Sequence, residues 1–192
     1  GEYRVTVRHR NHLGVTTKNA LTFVAGTPAN ADFNTIETFG NNALMDLDNG
    51  KKAMWGGCAA DGQIIFQGPG NVPNLIFFDV LTAPGNTTFA SNYIHGGDYN
   101  DTELDMSGET IFQGIGNDTN GPFFEVLTSP DNTDVQVNYI HSGYNMGDFD
   151  MNCVSVYQGL NNDPNIIFFN VITHPENVNF SPSFIIEEQL PE

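Results

Sequence analysis

The sequence predicts a mixed α+β fold, in which an N-terminal β-hairpin is followed by three repeats of loop, short strand and short helix. Three observations lead to this prediction: alternating apolar residues near the N-terminus, a period near 45 residues in the rest of the chain, and apolar blocks with helical spacing. An all-β repeat array is the alternative, because a short apolar run does not distinguish a buried strand from a buried helix. With 192 residues, of which 39% are hydrophobic, the chain is long enough to bury a core.

The pattern of the N-terminal region predicts β-structure. Alternate residues from Tyr3 to Val7 are apolar, which is typical of a half-buried strand. A second strand is predicted over 15–24, so that the two form a hairpin. An isolated hairpin is only marginally stable, and we therefore expect residues 1–52 to join a larger sheet in this chain or in another subunit. A short helix is predicted around 41–47.

An aromatic-Gln-Gly signature occurs three times in the remainder of the chain. Its aromatic residues, Phe66, Phe112 and Tyr157, are 46 and 45 residues apart. A fixed period of this length marks a supersecondary unit that repeats and stacks on its neighbours. The sequence therefore predicts a second region, 53–192, made of three repeats that span about 53–97, 98–143 and 144–192.

Each repeat carries an apolar block that predicts a short buried helix. In the third repeat Phe168 and Val171 have the spacing of one buried helical face. Asp163 is predicted to cap this helix, because an aspartate followed by proline is typical of a helix start. A second short helix, ending at glycine, is expected in the first two repeats, over 88–95 and 134–141.

The charges are divided unevenly along the chain. The formal net charge is −17, yet all six cationic residues and only five of the 23 acids lie in residues 1–52. This acidity excludes a nucleic-acid-binding surface, and the lack of an 18-residue apolar run excludes a transmembrane helix. Residues 53–192 hold 18 carboxylates without a single Lys or Arg. Bound divalent cations would relieve this repulsion; an acidic solubility surface is the alternative.

Many of these acids fall at the spacing of an EF-hand-type calcium loop, which places oxygen ligands at positions 1, 3 and 5 and glycine at position 6. In the third repeat these positions hold Asp148, Asp150, Asn152 and, in place of glycine, Cys153. In the second repeat they hold Glu103, Asp105, Ser107 and Gly108, with Asp101 in reserve. In the first repeat only the last two positions match, with Asp61 and Gly62. The sequence therefore predicts two metal sites and a weak or lost third one.

The acid expected at loop position 12 is missing, because glycine stands there in all three repeats. Candidates to replace it follow three or four residues later: Asn71, Asp118 and Asp163. Capping of the next helix is an equal alternative for the two aspartates, and one aspartate could do both. Because the candidate ligands are hard oxygen atoms, the predicted ion is Ca²⁺ rather than zinc.

We expect the protein not to be an enzyme, since the sequence contains no recognisable acid/base pair or Ser-His-Asp arrangement. His95 and His141 occupy the same repeat position, which indicates a packing or capping role. His9 and His12 suggest metal or phosphate ligands. The preferred interpretation is a basic hairpin tip, because residues three apart on a path from strand to turn need not face one point.

Two sets of motifs resemble known proteins. The acidic loop, glycine, apolar strand and short helix are similar to the units of dockerin-type calcium repeats. The Phe-Gln-Gly signature, together with the RHRNHLGV, MW and FIIEEQLP segments at 8–15, 54–55 and 184–191, resembles the C-terminal regions of large secreted bacterial surface proteins. This resemblance implies an exported, calcium-binding and non-enzymatic region.

We therefore expect an extracellular or cell-surface protein that calcium stabilises and that has a structural or assembly role. Homo-oligomers, such as a filament or surface layer, would form if the basic N-terminal hairpin bound the acidic repeats of a neighbouring chain. The alternative is a calcium-dependent adhesive module of a larger secreted protein that binds a glycan or a protein. Outside the cell Cys58 and Cys153 could form a disulfide, and two free thiols are an equal alternative.

Overall fold

The computed structural model describes residues 1–9, 11–47, 50–57, 61–97, 100 and 102–191. The helices in this part of the chain are α1 Val72–Thr82, α2 Gly121–Thr128 and α3 Ile166–Thr173. The strands are β1 Glu2–Tyr3, β2 Thr6–His9, β3 His12–Thr16, β4 Leu21–Thr22, β5 Leu44–Asp46, β6 Lys52–Met54, β7 Gln63–Ile65, β8 Ile94–Gly96, β9 Glu109–Ile111, β10 Ile140–Ser142, β11 Val154–Val156 and β12 Ile185–Glu187. They pair into two-stranded antiparallel sheets. The predicted mixed α+β class is confirmed.

The predicted N-terminal hairpin is present, with different boundaries. Strand β2 pairs with β3, with Val7 opposite Val15 and, after a bulge, His9 opposite His12. Strand β1 pairs with β4 instead. The second strand of the hairpin begins at His12 rather than at Val15, because Leu13 and Val15 are both buried and extended pairing lets both reach the interior.

The helix predicted around 41–47 is wrong. This segment contains β5, which pairs with β6 so that Leu44 lies opposite Met54 and Asp46 lies opposite Lys52. The Lys52 ammonium is 2.9 Å from the Asp46 carboxylate, and Met54 is buried in an apolar cluster. Cross-strand pairs of this kind stabilise a sheet. Here they favour a strand over the helix that was predicted from the irregular spacing of polar and apolar residues.

The first helix predicted in each repeat is confirmed, but its cap differs. Helices α2 and α3 are preceded by single 3-10 turns, Asp118–Asn120 and Asp163–Asn165. The side-chain oxygens of Asn71 and Asn162 accept a backbone N–H three residues later, at 3.2 Å in both cases. The prediction that Asp163 is the cap is wrong, because its carboxylate accepts hydrogen bonds from the preceding loop and strand.

The second helix predicted at 88–95 and 134–141 is wrong. Turns occupy the first part of each range, and strands β8 and β10 occupy the last part. The cause is a buried asparagine after each main helix. The Asn86 amide donates to the carbonyls of Val80 and Ala90 at 2.8 and 2.9 Å, and its oxygen accepts the Ala90 N–H at 2.9 Å. Such bonds offer the backbone an alternative to a helix. Corresponding bonds are made by Asn132 and Asn177.

The strand pairing closes three successive segments into a ring. Each segment runs from a strand through a helix to a second strand, and we number them one to three: 63–96, 109–142 and 154–187. Strand β8 pairs with β9, β10 pairs with β11, and β12 returns to pair with β7. The last strand of each segment therefore joins the first strand of the next, and segment three joins segment one.

Aromatic contacts follow the same cyclic order. Each helix presents a phenylalanine to the aromatic residue of the Gln-Gly signature in the next segment. The pairs are Phe77 with Phe112, Phe123 with Tyr157 and Phe168 with Phe66, with ring centroids 4.9, 4.8 and 4.9 Å apart. All three pairs are edge-to-face, a favourable arrangement of aromatic rings. The ring is therefore closed by side chains as well as by backbone.

The N-terminal hairpin inserts its tip between the loops of the ring. The Asn11 amide donates to the Leu104 carbonyl at 2.8 Å, and the Gly57 N–H donates to the Asn11 carbonyl at 2.8 Å. The Leu13 N–H donates to the Trp55 carbonyl at 2.9 Å, and both of these side chains lie in the main apolar core. The hairpin thus packs on the ring of its own chain.

Candidate metal centres

Two groups of three carboxylates lie at equivalent places, where the loops that precede β9 and β11 meet the starts of the helical segments that follow these strands. In each group three oxygen atoms lie within 4.8 Å of one another. The second-loop cluster consists of Glu103, Asp105 and Asp118, and the third-loop cluster consists of Asp148, Asp150 and Asp163. All are buried except Asp150, which is partly buried. Oxygen atoms converging at this distance could hold a metal ion.

The aspartate at each helix start holds the loop in place. One oxygen of Asp163 accepts the Phe149 N–H of the loop and the other accepts the Val156 N–H of β11, both at 2.7 Å. Asp118 accepts the corresponding N–H groups of the second loop and β9, also at 2.7 Å. Carboxylate oxygens have further lone pairs, so that both aspartates can brace the loop and still face an ion.

The loops turn through left-handed residues at positions 4 and 6. These residues and their φ values are Met106 +60°, Gly108 +88°, Met151 +57° and Cys153 +70°. Cys153 thus adopts the conformation for which the sequence predicts glycine, and a side chain is strained there. Asp148 accepts the N–H of Cys153 at 3.0 Å, which helps to hold the turn. The Cys153 thiol is free and exposed; Cys58 lies outside the described residues.

Burial raises the pKa values of the clustered carboxyls. Loss of hydration raises the pKa of Asp118 and Asp163 to about 7, with repulsion from neighbouring acids adding to it and backbone hydrogen bonds opposing it. The same cause raises the pKa of Asp148 to about 6 and also raises that of Asp150. Full ionisation of either cluster is therefore unfavourable near neutral pH unless a cation compensates it.

The remaining predicted ligands that the structure describes make local hydrogen bonds. The Ser107 hydroxyl donates to a carbonyl of β9 at 3.1 Å, and the Asn152 oxygen accepts an N–H of β11 at 2.9 Å. Asp61 accepts an N–H of β7 at 3.1 Å, and Asn71 caps α1. Among the described residues Asp61 belongs to no group of three His, Cys or carboxylate ligands. Asp101 lies outside the described residues.

The first loop has an apolar residue where the other two have the bracing aspartate. Val72 occupies the place of Asp118 and Asp163, and only 1% of its surface is exposed. It packs in a core cluster with Ile76 and Leu104. Apolar packing thus takes the place of one candidate carboxylate at the first loop, and the weak or lost first site stays a prediction.

A groove opens beside each cluster. Its volume is about 290 Å³ in the second segment and about 360 Å³ in the third. Asp105 and Asp150 line the two grooves, together with Phe124 and Phe169 from the neighbouring helices. The sequence reasoning missed both phenylalanines, although their 45-residue separation was a signal that the two belong to equivalent sites.

The recurring histidines pair with acids on the neighbouring helices. His95 Nδ1 lies 2.9 Å from the Asp79 carboxylate, and His141 Nδ1 lies 3.8 Å from the Glu125 carboxylate. All four side chains are partly buried. These contacts join strands β8 and β10 to helices α1 and α2, which agrees with the packing role predicted from the sequence.

The two histidines of the N-terminal hairpin face each other. Their Nδ1 atoms are 2.9 Å apart, and His9 Nε2 lies 2.7 Å from the Tyr144 hydroxyl. His12 is buried, and burial together with the charge of His9 lowers its pKa to about 3. His12 is therefore neutral. The interpretation of this turn as a basic hairpin tip is therefore wrong at His12, because burial keeps its ring neutral.

No family model, curated protein or solved structure matches this chain. In the described ranges, no helix is both long enough and apolar enough to cross a membrane. The resemblance to dockerin-type repeats and to secreted surface proteins stays a prediction.

Proposed function

We propose that the protein is a calcium-binding structural module of an extracellular protein, stabilised by two calcium ions and without enzymatic activity. One observation carries this proposal: three largely buried carboxylates converge at each of two equivalent places in the ring. A single acidic group could be an accident of an acidic chain. Two groups in the same structural position, with the same bracing bonds, indicate a shared purpose.

The electrostatic state of the clusters supports a bound cation. Without one, burial and mutual repulsion raise the pKa of Asp118 and Asp163 to about 7. A divalent cation among the carboxylates would reverse this effect, because attraction between opposite charges is strong where water is excluded. No Lys or Arg occurs after Lys52 to supply that charge instead.

The ligand atoms favour Ca²⁺. Each cluster offers three carboxylates, whose oxygen atoms are hard ligands, and calcium is bound by such oxygen atoms at about 2.4 Å. Magnesium requires shorter bonds and a stricter octahedron and keeps several waters, which suits a buried group of three carboxylates less well.

Calcium at the second loop would stabilise more than the loop itself. The Leu104 N–H donates to Asp118 at 2.7 Å, and the Leu104 carbonyl accepts from Asn11 at 2.8 Å. One peptide segment therefore links the carboxylate cluster to the tip of the N-terminal hairpin. An ion that fixes this segment would stiffen the contact between hairpin and ring.

Self-association through the hairpin stays a prediction. Arg8 of the hairpin lies 3.3 Å from Glu188 of the same chain, so this cation already has an acidic partner. The second candidate function is a calcium-dependent binding module. The observation that favours it is the groove beside each cluster.

Thermal unfolding of the 192-residue chain with calcium and with EDTA tests the proposal. A ligand at 100 times its Kd contributes about 2.7 kcal/mol per site, and each kcal/mol raises Tm by about 2–4 °C in a domain of this size. Two sites should therefore raise Tm by about 10 °C or more. Identical midpoints with calcium and EDTA would overturn the proposal.

Calorimetric titration with calcium should count two ions and locate them. Asp150→Asn should reduce the count to one, because it weakens only the third-loop cluster. Asp61→Asn is the matched control in the first loop and should leave the count at two. A loss of calcium binding in the control would contradict the assignment of the sites.

A further inference from the structure

Two imidazole nitrogens and one amide oxygen meet at the tip of the N-terminal hairpin. His9 Nδ1 and His12 Nδ1 are 2.9 Å apart, and the Asn11 side-chain oxygen lies 2.8 Å from His12 Nδ1. The bulge in β2 after Val7 places His9 opposite His12 and so brings the two rings together. Residues three apart on this path therefore do face one another, contrary to the expectation from the sequence.

The contacts of Asn11 and His12 fix which atoms face the meeting point. The Asn11 amide nitrogen donates to the Leu104 carbonyl at 2.8 Å, so the amide oxygen is the atom beside His12. On its other side, His12 Nε2 lies beside the Phe149 carbonyl. A ring nitrogen next to an acceptor carries the proton of a neutral imidazole, which leaves a lone pair on Nδ1.

Both histidines have the surroundings of metal ligands. A histidine that binds a metal through one ring nitrogen usually has its other nitrogen held by an oxygen atom. His9 Nε2 lies 2.7 Å from the Tyr144 hydroxyl, and the Phe149 carbonyl serves His12. Burial lowers the pKa of His12 to about 3, so its ring is neutral, the form that binds a metal.

The meeting point suits a cation. With its proton on Nε2, His12 Nδ1 has no hydrogen to share with the Asn11 oxygen, and two lone-pair atoms stand 2.8 Å apart. A metal ion accepts lone pairs from both and removes this repulsion. Phosphate, the other ligand that the histidines suggested, would meet the same lone pairs in a chain with a net charge of −17.

The distances between the ligand atoms indicate the kind of ion. Bonds of about 2.0 Å at right angles place neighbouring ligand atoms about 2.8 Å apart, as in tetragonal Cu²⁺ and Ni²⁺ sites with nitrogen and oxygen ligands. The tetrahedral angle of zinc would place them about 3.3 Å apart. The observed 2.9 and 2.8 Å match the right-angled arrangement.

We propose that His9, Asn11 and His12 bind one Cu²⁺ or Ni²⁺ ion through the two Nδ1 atoms and the amide oxygen. Water would complete the coordination, because His9 is only partly buried and the neighbouring Tyr144 is 58% exposed. This site is separate from the carboxylate clusters and does not depend on calcium. Since Asn11 bonds to Leu104 of the second loop, the ion would also fasten the hairpin to the ring.

Titration of the full chain with Cu²⁺, in saturating calcium, tests this inference. Calcium occupies the carboxylate clusters and keeps Cu²⁺ from them. Calorimetry should count one Cu²⁺ ion, and its electron paramagnetic resonance spectrum should show coupling to two nitrogen ligands. The paramagnetic ion should broaden the amide signals of His9, His12, Tyr144 and Phe149 most strongly.

Three variants separate ligands from bystanders. His9→Ala should abolish stoichiometric Cu²⁺ binding. Tyr144→Phe keeps the exposed ring and removes only the oxygen at His9 Nε2, so affinity should fall about tenfold. His141→Ala is the matched control, because this histidine has the Glu125 carboxylate as its partner, and it should leave affinity unchanged. Tyr144→Phe and the wild-type broadening map decide the matter if His9→Ala folds poorly.

Each other outcome is decisive. The site would be overturned by an absence of saturable Cu²⁺ binding, by broadening centred on the Gly1 amine or on the carboxylate clusters, or by equal weakening in Tyr144→Phe and His141→Ala. Calcium binding without Cu²⁺ binding would leave the proposed function standing. Cu²⁺ binding at His9 and His12 without calcium binding would overturn the proposed function and leave this inference standing.

Discussion

At the same structural position, the first loop is followed by an apolar side chain and the third loop by an acidic one. In the third loop Asp163 is buried and accepts two backbone N–H groups. In the first loop Val72 is buried in its place, in a cluster that includes Ile76. Strand, helix and aromatic contact nevertheless recur in both segments. Apolar packing can therefore hold this scaffold, and the carboxylate cluster is an addition to it.

The largest effect should come from making the third loop resemble the first. Asp163→Val leaves two buried N–H groups without an acceptor, each costing about 1–3 kcal/mol. The expected loss is about 4 kcal/mol or more of unfolding free energy, measured by chemical denaturation in EDTA. Calcium should no longer stabilise the third loop.

The reciprocal change makes the first loop resemble the third. Val72→Asp buries a carboxylate among apolar side chains, which should cost about 3–5 kcal/mol. A loss below about 1 kcal/mol in either variant would mean that the two residues are interchangeable, and the comparison would fail.

The contact between segments three and one should contribute as much to stability as the other two contacts between segments. Phe168→Ala and Phe77→Ala each remove one partner of an edge-to-face pair and should each cost about 2–3 kcal/mol, because these rings are only partly buried. Denaturation midpoints check this expectation. If Phe168→Ala had no effect while Phe77→Ala destabilised, the ring would be open in solution.

The pH dependence should reverse with calcium. The folded-state pKa values of Asp118 and Asp163 are raised to about 7, above the unfolded value near 4, so the folded protein binds more protons between these limits. In EDTA, Tm should therefore fall as pH rises from about 4 to about 7. Calcium binds the ionised clusters, and the Tm gained from calcium should grow over the same range. A gain that is constant with pH would contradict the assignment of these carboxyls.

The smallest effect concerns the turn of the third loop. Cys153→Gly relieves the left-handed strain of a side chain at φ +70° and should stabilise the protein by about 1 kcal/mol. Gly108→Ala is the matched change in the second loop, at φ +88°, and should destabilise by about 1 kcal/mol. Equal and opposite shifts in Tm would show that the two turns are alike.

Much of the fold could be predicted from local patterns. The apolar block after each Gln-Gly signature located the three helices, and loop spacing pointed to all six clustered carboxylates. The second helices at 88–95 and 134–141 were predicted wrongly, because one buried amide, such as that of Asn86, redirects the chain. Propensity along a short window does not contain such a contact.

The directions in which individual side chains point could not be predicted from the sequence. Spacing placed Asp163 next to a helix start, where an aspartate is usually a cap, but Asn162 performs that role. The backbone N–H groups that donate to Asp163 come from strand β11 and from the loop before it, seven and 14 positions earlier in the chain. The pairing of His9 with His12 was missed for a similar reason, since a bulge in β2 brings the two rings together.

The pairing of β12 with β7 also fixes how many segments this architecture can hold. An open array can gain or lose a unit at its end without disturbing any other joint. A closed ring cannot, because a fourth segment would have to break an existing joint and change the curvature of all the others. We therefore expect the number of segments to stay constant while single residues within a segment are replaced, as at the equivalent positions of Val72 and Asp163.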